Sequence, residues 1–444
     1  MAAAAAAQPV APPAGAAFDA LHYAVRLDPD VSAGTLKGRE ALAVRIGTYG
    51  VGVPASTLTF DCGELTIDTV HENGAVVPFA REGRRLVLRL QRPARPNERR
   101  RFDIEYHGAP RFGLTLLGDR AQAYTTFSTS QWMVAVDTPA DRATLDLSVA
   151  VPAEWAAAGS GREVSRRRQP DGTTLYRWRQ DRPVPSYTFG FVAGRFSEAT
   201  ARHGGVRLRY MGAGFSGDEL RRVFRDTGAM LAFFEDRAGV RYPSDAYAQA
   251  LVATSGGQEL AGLAHMAEAY GRVVLDDSTA TSLIAHEIAH QWWGNSIACR
   301  DWTHFWLNEG MATFMAAAFR ERQLGREAYL VTVNAWRERL TQLRAAGHDK
   351  PLVFPDWDRP TADDRAVVYQ KGALVLHELR ETLGDTVFWT ALRAYTREHV
   401  GHSVTTADFQ AALEKASGRR LDGFFDEWVY LTARGLTTQA PSGR

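Results

Sequence analysis

Residues 285–295 read AHEIAHQWWGN and contain two histidines four positions apart, with a glutamate directly after the first. If this segment is helical, His286 and His290 lie on one face and can offer two imidazole nitrogens to one metal ion. Glu287 then projects beside that face, where its carboxylate can take a proton from a water molecule held by the metal. The alternative is a helix that packs two histidines without a metal, so the pattern needs support from elsewhere in the chain.

A third candidate ligand lies in the segment HFWLNEGMATF, residues 304–314. Glu309 follows His290 with 18 residues between them, at the start of a predicted helix with mainly apolar neighbours. A catalytic zinc ion takes three protein ligands and keeps one position open for water. A lone buried carboxylate is costly, and binding a cation removes that cost. We therefore expect one zinc ion per chain, held by His286, His290 and Glu309; the alternative is that Glu309 only stabilises its own helix N-terminus.

The composition of the chain is that of an ordinary globular protein of two or three domains. Its 444 residues include 52 basic and 51 acidic side chains, a net charge of +1, which gives no reason to expect a nucleic-acid or anionic-membrane partner. The two cysteines, Cys62 and Cys299, are too few for a cysteine-based metal site, and we expect free thiols. No apolar run approaches the roughly 20 residues that span a bilayer.

The first 17 residues are rich in alanine and proline and lack the features of a complete signal peptide. We interpret residues 1–17 as a flexible leader. We expect a cytoplasmic protein, or a periplasmic or secreted one if this start is a processed export signal.

The elements that must position the candidate ligands follow from hydrophobic periodicity. Residues 18–203 alternate apolar and polar side chains in short runs separated by Gly, Pro, Asn and Asp, which predicts an antiparallel β domain. The pattern then becomes helical, with Ser216 as a candidate N-cap and Gly239 as a candidate stop. A strand is predicted at 246–253. The predicted helices are 216–240, 280–293, 308–323, 326–344, 367–383, 385–398, 405–416 and 421–431. We predict an α+β fold, with an N-terminal β domain followed by a mainly α-helical domain, 204–444, that contains a small β-sheet.

The motifs in combination identify a family. HEIAHQWWGN followed at this spacing by WLNEG resembles the M1 family of zinc aminopeptidases, of the gluzincin group. The resemblance covers about residues 18 to 432 and implies a thermolysin-like catalytic domain in which the two histidines and Glu309 bind zinc. Because the chain ends soon after FFDEWVYLTARG, we expect a short two-domain form without the C-terminal helical domain of many members.

The family has a Gly-x-Met-Glu-Asn segment upstream of the zinc helix, and SGGQELAGLAHM, residues 255–266, is similar to it. The resemblance implies that Glu259 binds the free α-amine of the substrate and that Gly256, Gly257 and Gln258 also bind the substrate. A fixed carboxylate that grips a cationic terminus selects for exopeptidase action. Gln258 replaces the usual Met and Leu260 the usual Asn. The alternative is a glycine-rich turn with a surface glutamate.

The family also has a tyrosine in Tyr-x-Lys-Gly, and VVYQKGALVLHEL, residues 367–379, supplies Tyr369. By resemblance, the Tyr369 hydroxyl donates a hydrogen bond to the oxyanion of the intermediate. The alternative is an amphipathic tyrosine at a helix start. MVAVDTPADR is similar to the family's Pro-Cys-x-Asp-x-Pro segment, with Gln131 as a weak candidate for a substrate contact upstream of it. Ala316 stands where an acidic residue is usual.

These features predict a zinc-dependent aminopeptidase that hydrolyses the first peptide bond of peptides with a free N-terminus. In this interpretation a zinc-activated water attacks the carbonyl and Glu287 is the general base. We expect a monomer. The alternatives are a thermolysin-like endopeptidase, an epoxide hydrolase of related fold and a catalytically inactive scaffold on the same fold.

Overall fold

The structure is a computed structural model that describes residues 18–47, 55–357 and 360–431. The predicted leader at 1–17 and the C-terminal residues 432–444 lie outside the described residues. The described chain divides into two compact units. The first contains the residues up to Arg225 together with Ser244–Thr279, and the second contains Asp226–Pro243 and the residues from Ala280 onward. The domain boundary predicted between residues 203 and 204 stays a prediction.

The strands are β1 (Phe18–Asp30), β2 (Thr35–Ile46), β3 (Ala55–Asp61), β4 (Thr66–Glu72), β5 (Ala75–Val76), β6 (Phe79–Glu82), β7 (Arg85–Ala94), β8 (Arg99–Gly108), β9 (Leu114–Leu117), β10 (Gln122–Thr125), β11 (Arg142–Pro152), β12 (Ala156–Gly159), β13 (Arg162–Arg168), β14 (Thr173–Pro185), β15 (Phe191–Gly194), β16 (Ser197–His203), β17 (Val206–Gly212), β18 (Ala246–Val252), β19 (Gly257–Leu260), β20 (Leu263–Ala267), β21 (Ala298–Cys299) and β22 (Ser403–Val404).

The helices are α1 (Gly217–Val223), α2 (Thr227–Ala238), α3 (Glu268–Asp276), α4 (Ser282–Ala289), α5 (Trp306–Leu324), α6 (Arg326–Ala346), α7 (Ala362–Ala366), α8 (Gly372–Leu383), α9 (Asp385–His399), α10 (Thr406–Ser417) and α11 (Asp422–Phe425). Two π-helical turns, Val367–Lys371 and Asp426–Tyr430, continue α7 and α11.

The first unit is built mainly from sheets. An eight-stranded sheet has the order β13-β14-β11-β1-β2-β8-β4-β5, and a four-stranded sheet has the order β12-β15-β10-β9. In β8 the side chains of Phe102, Ile104 and Tyr106 are buried, while the residues between them are exposed. This alternation buries one face of the strand, as the period-two pattern predicts. The pairing of β1 with β11 is parallel and joins distant parts of the chain.

A five-stranded mixed sheet, also in the first unit, has the order β16-β17-β18-β20-β19. The three central strands run parallel to one another, and β19 pairs antiparallel with β20 at one edge. All four residues of β19 are buried, so the Gly257–Leu260 segment is a strand and not an exposed turn. Leu260, which stands where the family has Asn, belongs to an apolar cluster with Val192 and Leu263.

The second unit is mainly helical, and α4, α5 and α8 carry the candidate site. Two predicted helices differ from the structure. The predicted helix at 216–240 is two helices, because α1 ends at Val223 and α2 begins at Thr227. The predicted helix at 280–293 ends at Ala289, before Gly294, whose φ of 139° is open only to glycine.

The predicted helix ends are correct where capping residues specify them. Ser216 caps α1 in a capping box with Glu219, and Gly239 ends α2 in a left-handed conformation. Both cysteines are buried and free, as expected. The predicted α+β fold class is confirmed. Among the described helices, none has the length and apolar character that a bilayer crossing requires.

Candidate metal centre

Helix α4 places both histidines of the motif. It is apolar on its inner side, where Ile284 and Ile288 are almost fully buried, and this burial fixes its orientation in the second unit. His286 lies in the last turn of α4, and His290 ends the helix. Their Nε2 atoms are 3.0 Å apart. Glu287, the predicted general base, is 2% exposed.

The third candidate ligand comes from the first turn of α5. Glu309 Oε2 lies 3.2 Å from Nε2 of His286 and 3.4 Å from Nε2 of His290. The start of α5 is held by Asn308, whose Oδ1 accepts a hydrogen bond from the backbone N–H of Cys299 at 2.9 Å. The structure thus brings together the three residues that the sequence predicts as zinc ligands.

The hydrogen bond that Nδ1 of a histidine makes determines whether its Nε2 carries a proton or a lone pair. His290 Nδ1 lies 3.0 Å from the Trp293 carbonyl oxygen, so this nitrogen carries the proton and donates it. His286 Nδ1 lies 3.4 Å from the Thr313 hydroxyl. With Nδ1 protonated, His290 presents the lone pair of Nε2 toward His286 and Glu309, and His286 does the same when the Thr313 hydroxyl accepts from its Nδ1. Such a donor set is unfavourable without a cation at its centre, and it is the arrangement that zinc-binding histidines adopt.

The spacing of the three donor atoms also fits zinc. Tetrahedral bonds of about 2.0–2.1 Å place neighbouring ligand atoms about 3.3 Å apart. The three observed separations, 3.0, 3.2 and 3.4 Å, bracket this value. The residues present therefore fit a zinc ion.

The electrostatics agree with this fit. Burial lowers the pKa of His286 and the neighbouring His290 lowers it further, whereas Glu309 raises it; the net shift is downward, which favours the neutral imidazole. Burial raises the pKa of Glu309, but its close contacts with His290 and His286 lower it by more, so the pKa lies well below the usual range. A neutral imidazole and an ionised carboxylate are the protonation states that bind metal.

Thr313 is a residue of this site that the sequence did not indicate. It lies one turn after Glu309 on α5, and its hydroxyl contacts Nδ1 of His286 on α4. Ala316, where an acidic residue is usual, is a buried side chain with no polar group. The hydroxyl of Thr313 is the group that contacts the outer nitrogen of His286 here.

Tyr369 lies next to His286, with ring centroids 5.8 Å apart and planes inclined by 13°. It belongs to the π-helical turn Val367–Lys371, and such turns are frequent at functional sites. Lys371 of the same turn is buried and donates hydrogen bonds to the Asp349 carboxylate at 2.7 Å and to the Lys350 carbonyl at 2.6 Å. Lys371 thus fixes the turn that carries Tyr369.

Two glycines of the motifs face each other. A Cβ on Gly310 would lie 2.9 Å from Cα of Gly372, and a Cβ on Gly372 would lie 3.0 Å from Cα of Gly310. The backbones of α5 and α8 therefore touch where neither has a side chain. This contact sets the distance between Glu309, which precedes Gly310, and the turn of Tyr369.

The predicted substrate-binding residues lie in the first unit, at the edge of the five-stranded sheet. Gly257, Gln258 and Glu259 are in β19, and Gly256 precedes it, with its carbonyl accepting a hydrogen bond from Ala267. Glu259 is 2% exposed, so it is not a surface glutamate on a turn. The Gln258 side chain donates to Glu259 Oε2 at 2.7 Å.

Other residues considered from the sequence have structural surroundings. Gln131, the weak candidate, is buried and packs against Gly63 and Gly113 in the first unit. Trp292 and Trp293, which follow His290, are also buried in the core.

Comparisons with known proteins agree with this geometry. The Peptidase family M1 domain matches residues 223–428, and the Peptidase M1 N-terminal domain matches residues 19–188. The chain belongs to peptidase family M1. This family assignment confirms the one predicted from the motifs.

Family M1 members with solved structures share the fold over nearly the whole chain. A mutant M1 zinc metallopeptidase from Deinococcus radiodurans bound to the substrate Tyr-Ser-Ala is 26% identical, with a TM-score of 0.78, covering 93% of this chain and 94% of that one. A two-domain M1 zinc metallopeptidase bound to L-tryptophan is 26% identical, with a TM-score of 0.79, covering 94% and 95%. This M1 chain thus matches two-domain members.

Aminopeptidase N of Lactococcus lactis subsp. lactis is 31% identical in an alignment of 315 positions that covers 66% of this M1 chain and 36% of that protein. The M1 chain spans between about a third and a half of the length of the curated relatives it matches.

Proposed function

We propose that this M1 chain is a zinc aminopeptidase that hydrolyses the N-terminal peptide bond of peptides. The observation that carries the proposal is the buried cluster of His286, His290 and Glu309, whose donor atoms lie within 3.4 Å of one another. These three residues would hold one zinc ion per chain. The relative from Lactococcus lactis is an aminopeptidase, which supports the same reaction.

A bound zinc ion supplies a Lewis acid that polarises the scissile carbonyl and lowers the pKa of water at the site to about 7. Glu287 accepts the proton of the attacking water and passes it to the leaving amine. Its burial removes competing bulk water from the proton transfer. The Tyr369 hydroxyl donates a hydrogen bond to the developing oxyanion. The stacking of its ring with His286 orients this hydroxyl.

Glu259 binds the free α-amine of the substrate in this proposal. The assignment comes from the motif similarity, and burial of Glu259 supports it, because a buried carboxylate gains most from a cationic partner. An enzyme that uses this contact prefers free N-termini over blocked ones. A thermolysin-like endopeptidase, the second candidate, has no such preference.

Replacing Glu287 with glutamine tests the base. The amide keeps the size of the side chain and cannot accept the proton, so we expect kcat to fall by about 10²–10⁴-fold. Zinc content, measured by inductively coupled plasma mass spectrometry, should stay at one ion per chain. Glu327→Gln, at an exposed position in the first turn of α6, is the control and should change neither quantity. A Glu287→Gln variant with full turnover would refute the assignment.

A panel of aminoacyl fluorogenic substrates, with and without chelator, tests the reaction class. We expect chelator-sensitive hydrolysis of free-amine substrates and little cleavage of their N-acetyl forms. Equal cleavage of both forms would favour the endopeptidase. Inactivity of a zinc-loaded protein across the panel would favour the scaffold.

We also propose a monomeric, cytoplasmic protein. Size-exclusion chromatography with light scattering checks the first statement, and a mass near 49 kDa is expected from the 48.9 kDa chain. Cell fractionation checks the second.

A further inference from the structure

We infer that Gln258 is a positioning residue, whose side-chain amide holds the Glu259 carboxylate and the backbone at Phe127 in one fixed arrangement. This inference rests on the proposed function, because it acts through the role of Glu259 as the amine anchor. It changes the interpretation of Gln258 itself, which the sequence suggested as a direct substrate contact.

Both ends of the Gln258 amide have partners. Nε2 donates to Glu259 Oε2 at 2.7 Å, and Oε1 accepts a hydrogen bond from the backbone N–H of Phe127 at 3.0 Å. A carboxylate can only accept and a backbone N–H can only donate, so a single orientation of the amide satisfies both. Gln258 is fully buried and Glu259 is 2% exposed. Without competing water, these two hydrogen bonds restrain the carboxylate strongly.

The backbone that Gln258 holds has an unusual conformation. Phe127 and Ser128 have φ values of 42° and 43°, two consecutive left-handed residues that are not glycine. Such a turn persists only where its surroundings enforce it, and such conformations cluster at active sites and ligand-binding segments. The Phe127 N–H is buried with this turn, and the Gln258 side chain satisfies it.

A second side chain holds the other side of the same turn. His265 in β20 is the direct cross-strand neighbour of Gln258 in β19. Its Nε2 lies 2.8 Å from the Thr125 carbonyl oxygen and donates to it. Burial lowers the pKa of His265 to about 4, so the ring is neutral at physiological pH. Gln258 and His265 together fix Thr125 and Phe127 relative to β19, and Gln258 extends this restraint to Glu259.

The chemistry of position 258 follows from this arrangement. The residue must donate to a carboxylate and accept from a backbone N–H at the same time, which an amide does. Methionine, the usual residue in the family by the motif similarity, can do neither to any useful extent. The chain therefore places Glu259 by a different means, with a hydrogen bond where the family motif has an apolar side chain.

Substitution of Gln258 with methionine, which is close in volume, tests the inference. We expect KM for an aminoacyl anilide to rise at least about tenfold, and a tenfold rise corresponds to a loss of about 1.4 kcal/mol in binding free energy. The expected kcat stays within about threefold, because the zinc ligands and Glu287 are untouched. Zinc content should be unchanged. Gln258→Leu loses the same hydrogen bonds in a smaller side chain and serves if the methionine variant does not fold.

A double-mutant cycle with Glu259→Gln separates positioning from general packing. If Gln258 acts through the carboxylate, Gln258→Met should change KM less than twofold in the Glu259→Gln background. The affinity of each variant for leucine amide, measured by calorimetry with the zinc-loaded protein, gives the same comparison without turnover. An equal effect of Gln258→Met in both backgrounds would overturn the inference.

Gln122 provides a matched control. It is also a buried glutamine that bridges a carboxylate and a backbone N–H, donating to Glu268 at 2.6 Å and accepting from Ala253 at 2.9 Å. We expect Gln122→Met to lower the melting temperature about as much as Gln258→Met and to leave KM within twofold. Equal KM values for the Gln258 and Gln122 variants would overturn the inference while leaving the aminopeptidase proposal intact. A zinc-loaded parent protein that neither cleaves aminoacyl substrates nor binds leucine amide would overturn both.

Discussion

Replacing Thr313 with valine removes the hydroxyl that contacts His286 and keeps the shape of the side chain. The Thr313 Oγ1 to His286 Nδ1 distance is 3.4 Å, which is long for a hydrogen bond. Losing such a partner of a metal-binding histidine weakens metal binding by about 10–100-fold, and the length of this contact places the effect at the lower end. We therefore expect zinc affinity to fall about tenfold, or about 1.4 kcal/mol.

Competition with a chromophoric chelator measures this change as a zinc dissociation constant. At saturating zinc the Thr313→Val variant should keep kcat within about threefold, because the ligands themselves are unchanged. Thr313→Ser restores the hydroxyl and should restore most of the affinity. Thr341→Val, at an exposed threonine of α6, is the control for loss of a helix hydroxyl. A Thr313→Val protein that binds zinc within twofold of the parent would refute the reasoning.

Three further outcomes follow from the described contacts. In denaturant unfolding, Gly372→Ala should destabilise the protein by about 1–3 kcal/mol, because the added Cβ meets the backbone of Gly310, and it should also lower kcat. Gly423→Ala, where the added Cβ meets open space, is the control and should be neutral. Lys371→Leu should cost about 1–3 kcal/mol in the same measurement, since the buried Asp349 carboxylate keeps only its ion pair with Arg344, and adding Asp349→Leu should recover part of this loss. The pKa of His265 is about 4 in the folded protein and 6.5 in the unfolded chain. Between pH 6.5 and pH 4 the unfolded chain therefore binds more protons than the folded protein, and stability falls as the pH drops through this range. The stability difference between the parent and His265→Gln should therefore shrink by about 3 kcal/mol from pH 7 to pH 4; a constant difference would contradict the pKa.

The cluster of candidate zinc ligands could be predicted from sequence because two of its residues share one helix and the third follows at a defined spacing. His286 and His290 share a helix, and the four-residue spacing alone places them on one face. Glu309 was identified by its spacing and its apolar setting. Thr313 could not be identified in this way, because its role depends on how α5 packs against α4, and a threonine in a helix has no distinctive pattern.

Gln258 shows a second limit of the sequence. Its identity marked a departure from the family motif, but the motif could not indicate its partners. One of them, Phe127, is 131 residues away in the chain, and its left-handed conformation has no signal in a non-glycine residue. The direct neighbour Glu259 could be named from the motif, whereas the hydrogen bond that orients it could not.

The fold followed from sequence where the pattern is strong. Alternation in β8 and the caps at Ser216 and Gly239 led to correct elements. The order of the strands cannot be predicted from the sequence pattern, because the parallel pairing of β1 with β11 joins residues more than a hundred positions apart. The break between α1 and α2 was also missed, because apolar residues continue at helical spacing across it.

Because Gly310 and Gly372 are in contact, substitutions at these two positions can only increase the distance between α5 and α8. Any residue larger than glycine at either position pushes α5 and α8 apart, and no substitution among the natural amino acids can bring them closer. The separation of the carboxylate on one helix from the phenol on the turn before the other is therefore at its lower bound. Engineering at these two positions can widen that gap for a bulkier reacting group, but tightening it would require a change in the helix backbones themselves.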